Sequence, residues 1–274
     1  MGDFERDTRL EGADGRYRAE LSADWEIWGP NGGYVAAIAL RAVGLEAEIP
    51  RPAAFACHFL SVARFGPVDV EVEPIRRGRR SESLRVSIHQ DERPILEALV
   101  RTAAEGPGLE HRWGEAPAAP DPETLKSADE LRDPEWPRYR FWDNLESRVL
   151  RPERFREASP QPRDPVWSEW YRFRPRATFD DPFLDAGRAL LLLDTLSWPA
   201  ACQPHPDAAF QAPNLDVSVW FHDRAPESEW LFAEHECRVA AGGLMGTTGR
   251  VWSRDRRLLA SGGAQLLCVP APPR

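Results

Sequence analysis

Residues 183–198 read FLDAGRALLLLDTLSW, with four consecutive leucines at 190–193 and alanine or leucine at 186, 189 and 196. At 100° per residue this places apolar side chains on nearly every side of a helix. Such a helix has no face for water, and it falls short of the roughly 18–20 apolar residues of a membrane span, so other parts of the chain must enclose it. The flanking sequence supplies material for that enclosure. Arg140–Leu150 and Ser168–Phe173 precede the helix with strand-like alternation, and Leu215–Phe221, Trp230–Val239, Gly246–Trp252 and Leu258–Cys268 follow it.

The first half has the same succession. Residues 17–21 (YRAEL) alternate like a strand, and Gly32–Leu45 then carries apolar residues at helical spacing, opening from WGPNGG at 28–33. Four β-forming segments follow: Ala54–Val62, Val68–Ile75, Ser83–Gln90 and Ile95–Thr102, divided by turn-like FGP, RRGRR and QDERP. Counting supports a repeat: Phe59 and Phe221, Val68 and Trp230, and Ala98 and Ala260 all lie 162 apart, while Asp91 and Asp255 lie 164 apart. Each half therefore predicts an α+β unit, a curved antiparallel sheet wrapped around one long helix. Residues 1–104 form the first unit and 138–274 the second. Residues 105–137, rich in Pro, Glu and Asp and without apolar period, read as a linker.

A length of 274 residues suits two units of this size, and 42% apolar residues supply their cores. The net charge of −9 argues against a nucleic-acid surface. Lys126 is the sole lysine, every other base being Arg. Cys57, Cys202, Cys237 and Cys268 are scattered without metal-ligand spacing, and read as buried thiols of a reduced compartment. The first twenty residues are charged and lack an apolar signal core, so a cytoplasmic location without a membrane span is expected.

One helix swaddled by a curved antiparallel sheet, twice in one chain, resembles the double-hotdog acyl-CoA thioesterases of the type II (TesB-like) family. The resemblance rests on NGGYVAAIALRA (31–42), HFL (58–60), GPVDVEVE (66–73) and RRGRRSESLRVSIHQDERPILEA (76–98) in the first half. In the second half it rests on LDTLSWPA (193–200), LDVSVWFH (215–222) and RLLASGGAQLL (257–267). It implies hydrolysis of acyl-CoA to a free acid and coenzyme A without metal or cofactor, by a protein associated as a homodimer or homotetramer.

The candidate residues follow from that chemistry, which needs an activated water, donors for the developing oxyanion and a dry acyl site. Asn31, Gly32, Gly33 and Tyr34 open the first helix, whose first amides lack intrahelical partners and carry the positive end of the helix dipole, and Asn31, Gly32, Tyr34 and Thr195 are expected to bind substrate. The resemblance implies that an amide here, at Gly33, holds the thioester carbonyl; read locally, Asn31 is an N-cap and the glycines a turn. The alanines of this helix are small enough for a sheet to close around it. Asp216 interrupts a β-forming run and matches the family's catalytic aspartate, the other reading being a solvated edge or a turn-proximal cap. Gln265 stands for the family's glutamine on the last strand, but one residue late, because the matching position is Ala264. A bulge at Gly262–Gly263 would restore its direction. The family's Ser or Thr falls in Cys237-Arg238-Val239-Ala240, where no hydroxyl exists, leaving Thr195, Thr247 or Thr248 as substitutes.

Asp194 reads as lining the site or as pairing with an Arg or the Trp198 indole, with the structural reading favoured. His58, His222 and the turn Arg76–Arg80 read more readily as structural or solvated than as functional. Two other activities are disfavoured by the residues themselves. No Asp and His lie five apart on either helix as hotdog hydratases require, and no Gly-x-Ser-x-Gly is present. A non-hydrolytic acyl-CoA or hydrophobic-ligand binding protein is the competing reading, favoured by the displaced glutamine and absent hydroxyl.

Overall fold

The second half presents its strands in the same order as the first, read from the opposite end. The computed structural model describes residues 1–135, 138–155, 161–207 and 210–270. Its first half comprises α1 (Phe4–Asp7), β1 (Glu11–Ala13), β2 (Arg16–Leu21), α2 (Gly32–Glu46), β3 (Pro52–Phe59), β4 (Gly66–Arg77), β5 (Ser81–Gln90) and β6 (Arg93–Ala103). Then come α3 (Ala128–Leu131), β7 (Leu145–Arg148), β8 (Val166–Phe173), α4 (Pro182–Thr195), α5 (Ser197–Ala201) and β9 (Phe210–Gln211). The chain continues through β10 (Asp216–Phe221), β11 (Leu231–Ala241), β12 (Leu244–Ser253), β13 (Leu258–Leu267) and β14 (Val269–Pro270). Twelve strands form one sheet in the order β1-β2-β4-β5-β6-β3-β10-β13-β12-β11-β8-β7, every neighbouring pair antiparallel. The halves meet at β3 and β10, where Asp216 stands opposite His58 and Ser218 opposite Ala56. β9 and β14 pair separately.

Alternation explains which side is inside. Tyr17, Ala19 and Leu21 of β2, Val68, Val70 and Val72 of β4, and Leu84, Val86 and Ile88 of β5 are buried against the helices while their neighbours face out. Both long helices lie on this inner side and pack against each other antiparallel. A Cβ on Gly33 would stand 2.9 Å from the Leu191 backbone at one end, and a Cβ on Gly44 2.7 Å from the Phe183 ring at the other. The small residues of α2 are thus set by a second helix as well as by the sheet.

Two elements differ from expectation. The helix anticipated over 183–198 ends at Thr195, turns at Leu196 (φ −85°, ψ 2°) and resumes as α5. Pro199 accounts for the interruption: its ring excludes the carbonyl four residues earlier, that of Thr195. Arg140–Asn144 is a 3₁₀ turn rather than the start of a strand, because Asn144 is occupied elsewhere. It receives the Gly2 N–H at 2.7 Å and donates to the Asp24 carbonyl at 2.7 Å, tying the N-terminal segment down.

The stretch expected as a linker is more closely packed than its composition suggests. On the outer face of the second half, Trp170, Trp230, Phe232 and Trp252 form an apolar cluster, against which Ala116, Ala119 and Leu125 lie. Trp170 Nε1 donates to the Pro120 carbonyl at 3.0 Å, Trp230 Nε1 to Glu123 at 2.8 Å, and Arg254 grips both Asp121 oxygens at 3.0 and 2.9 Å. Four aromatics on one outer sheet face demand cover, and this segment helps to bury them.

Candidate active site

Asn31 ends the approach to α2 in extended geometry, and its Oδ1 accepts the Tyr34 N–H at 2.9 Å. Its Nδ2 donates to Thr195 Oγ1 at 3.0 Å, so the start of α2 is laced to the end of α4. Gly32 and Gly33 are bare for a steric reason. A Cβ on Gly32 would come within 3.1 Å of the Phe59 ring and 3.2 Å of both Asp194 carboxylate oxygens. One on Gly33 would meet the Cα and carbonyl oxygen of Leu191 at 2.9 Å. Gly33→Ala is accordingly expected to destabilise the fold by about 1–3 kcal/mol, overpacking against backbone outweighing the helix preference of alanine. Urea denaturation measures it, and an unchanged midpoint would mean that the helices separate freely.

The carboxylate that fills this space is Asp194. It is 3% exposed, faces the Gly33 N–H, and receives Asn214 Nδ2 on Oδ1 at 2.6 Å; the same Nδ2 also reaches the Asp194 carbonyl at 2.9 Å. Burial pushes its carboxyl up to about 6, while the bonds from Asn214 and Gly33 favour the charged form. Among the described residues neither an Arg nor the Trp198 indole is its partner; an amide of the first repeat and an asparagine of the second take that place. The amide expected to await a carbonyl already has an acceptor.

Asp216 opens β10 two residues beyond Asn214. Val217 and Val219 point inward, so Asp216 lies on the outer side, half-buried, with Oδ1 receiving the Gln265 N–H at 3.1 Å. Asp216 and Gln265 are therefore neighbours across β10 and β13. The bulge anticipated at Gly262–Gly263 does not form: the β12–β13 register runs unbroken from Gly246–Gln265 to Val251–Ala260. Gln265 consequently projects outward and is exposed, while Ala264 faces the interior. The buried Cys57 thiol links the two sides: burial raises it, and the charges of Asp194 and then Asp216 raise it further.

The remaining candidates separate clearly. Tyr34, expected to touch substrate, is instead fully buried and stacked on Trp25 at 5.2 Å, its hydroxyl donating to the Asp7 carbonyl at 2.6 Å. Of the three threonines, Thr195 lies at the mouth of α2. Thr247 is buried beside Ala264, bonded to Ser197 Oγ at 2.9 Å and the Ala264 carbonyl at 3.1 Å, and Thr248 reaches Glu236 at 3.2 Å. His58 is exposed opposite Asp216, and His222 shares 2.8 Å with Ser261. At the other end of the helix pair, Asp181 caps α4 through the Phe183 and Leu184 amides at 2.7 and 3.0 Å. Gly44 packs on Phe183 where the first end has Gly33 and Asp194. Among the described residues, the carboxylate-on-amide arrangement between the helices occurs at this one end.

Two hotdog units sharing one sheet, with their helices back to back, define a double-hotdog protein. The chain belongs to the acyl-CoA thioesterase family: the acyl-CoA thioesterase N-terminal domain matches residues 21–103 and the C-terminal domain residues 115–269. Solved structures agree in fold. The tesB protein of Mycobacterium avium subs paratuberculosis is 25% identical with a TM-score of 0.78, covering 97% of this chain and 98% of its own. The acyl-CoA thioesterase II TesB2 of Mycobacterium marinum is 22% identical with a TM-score of 0.79, covering 98% of each chain. A hot dog fold protein of unknown function from Alicyclobacillus acidocaldarius is 20% identical with a TM-score of 0.82 over the full length of both.

Proposed function

We propose that the protein hydrolyses acyl-CoA thioesters to free carboxylic acid and coenzyme A, using a water activated by Asp216 and Gln265. The observation that carries this reading is the adjacency of Asp216 and Gln265 across β10 and β13 in a chain whose two halves match the two thioesterase domains. Asp216 is accessible enough to hold a water and take its proton, and the Gln265 amide beside it both donates and accepts. The water oxygen bonds to the carbonyl carbon, the carbonyl electrons move to its oxygen, and as they return the C–S bond breaks. The departing thiolate takes the proton held by the carboxyl. Asn31, Gly32 and Thr195, with the Gly33 amide, stand at the start of α2 on the inner side of the sheet and are kept in this reading as the contacts to the acyl-CoA thioester.

The residues implied require no metal or cofactor, and we place the protein in the cytoplasm as a homodimer or homotetramer. No helix among the described residues is long and apolar enough to cross a membrane. The test is thiol release from a panel of acyl-CoAs spanning acetyl to palmitoyl, with a rate above buffer expected for at least one. The outward Gln265 and the absence of a hydroxyl over residues 237–240 favour a second reading, non-hydrolytic acyl-CoA or hydrophobic-ligand binding. Calorimetric binding of an acyl-CoA without thiol release would select it.

A further inference from the structure

We propose that a second pocket, at the end of the helix pair opposite Asp216, binds a short-chain monocarboxylate. This pocket of about 120 Å³ lies between the first turns of α4 and the end of β10, with Ala186, Ala189, Phe221, Leu231 and Leu259 as its apolar lining and Arg51 and Arg224 as its cations. The repeat accounts for its place. The offset of 162 that relates Phe59 to Phe221 also relates Ala54 to Asp216. Ala54 pairs with Trp220 near one end of the β3–β10 junction as His58 pairs with Asp216 at the other. The recess is thus repeated with the halves exchanged, but its chemistry is not. Ala54 has no carboxylate to match Asp216, and Asp181 occupies the Phe183 and Leu184 amides at the head of α4.

Charge selects an anion. Asp185 is already neutralised by Arg188 and held by the Ala225 N–H at 3.1 Å, and Asp223 by Arg112 at 3.1 Å and Arg257 at 3.5 Å. Glu105 is exposed, where water and salt screen it. Burial lowers the His222 imidazole, so it adds no charge at pH 7. Arg51 is half-buried, and among the described residues its guanidinium has neither a hydrogen bond nor an ion pair. Arg224 gives Nη2 to the Asp180 carbonyl at 2.6 Å, and its Nη1 is bonded to none of the described residues. A guanidinium presents parallel donors that match the two oxygens of a carboxylate, and partial burial strengthens that pairing. Ala186 and Ala189 lie three apart on one face of α4, leaving room for a chain beside them. A cavity of about 150 Å³ holds benzene, so the space here suits a chain of about four to six carbons.

Hexanoate is the probe. With ¹³C-methyl alanine incorporated into the full chain, titration with hexanoate should shift the Ala186 and Ala189 methyl resonances saturably, while hexanol should leave them in place. Arg51→Gln should weaken hexanoate binding by about tenfold, the effect of losing a charge-assisted pair, with an unchanged urea midpoint because no described residue bonds to the Arg51 guanidinium. Ala186→Leu fills the pocket and should abolish the shift at Ala189; if that variant fails to fold, Arg51→Gln and the hexanol comparison carry the decision. The assignment is overturned by silence of both methyls, by equal shifts with hexanol or hexylamine, or by wild-type affinity in Arg51→Gln. Responses confined to the Ala264 methyl, at the Asp216 end, would overturn it too, since the acid would then bind in the catalytic region alone. None of these readouts uses thiol release, so the pocket and the hydrolytic reading stand or fall separately.

Discussion

Asp216→Asn is expected to lower kcat/KM for acyl-CoA hydrolysis by roughly 10²–10⁴-fold, the range for loss of a positioned base. The substitution is nearly isosteric and keeps an oxygen to receive the Gln265 N–H, so the β10–β13 junction should persist. Lost rate would then report chemistry. The comparison requires thiol-release kinetics on both proteins, with equal denaturation midpoints as the control for folding. A rate within threefold of wild type would exclude Asp216 as the base and leave the outer side of this junction without a catalytic carboxylate.

Arg188→Met should cost about 3–5 kcal/mol of stability, the penalty for leaving a buried charge without its partner. Arg188 is fully buried in α4, and its guanidinium serves the carbonyls of Ala177, Ser228 at 2.8 Å and Ala225 at 2.9 Å, as well as Asp185. Methionine fills much of the volume but donates nothing. Asp185 would keep only the Ala225 N–H at 3.1 Å and the distant Arg224, and the Ala177 and Ser228 carbonyls would lose their donor while that of Ala225 keeps the Ser228 N–H at 3.0 Å. Equilibrium urea denaturation gives the loss directly. A shift under 1 kcal/mol would show that water reaches these groups and that the site is less closed than its burial indicates.

The repeat was legible because a helix apolar on every side admits few solutions. FLDAGRALLLLDTLSW required enclosure, the strands around it had period 2, and the spacing of Phe59 and Phe221 indicated duplication. The covering role of residues 115–125 was not legible. Irregular backbone has no period, and the Trp170, Trp230, Phe232 and Trp252 patch it covers becomes one surface only when β8, β11 and β12 are side by side.

The site divides in the same way. Asp216 stood out as a carboxylate within a β-forming run, and Asn31 as a cap, because both signals lie within a few residues. The direction of Gln265 depended on register, and an unbroken β12–β13 ladder sends it outward. Asp194 was visible as an acid in an apolar helix just before Pro199, yet its partners, Gly33 and Asn214, lie 161 and 20 residues away. The sequence by itself determined two helices, two sets of antiparallel strands and the cap at Asn31, since periodicity and capping act over short spans. Only the tertiary structure decided that the two helices pack back to back, that one buried carboxylate faces the Gly33 amide of the other repeat, and which strand faces look inward. Those outcomes follow from long-range packing and burial, which no local spacing encodes.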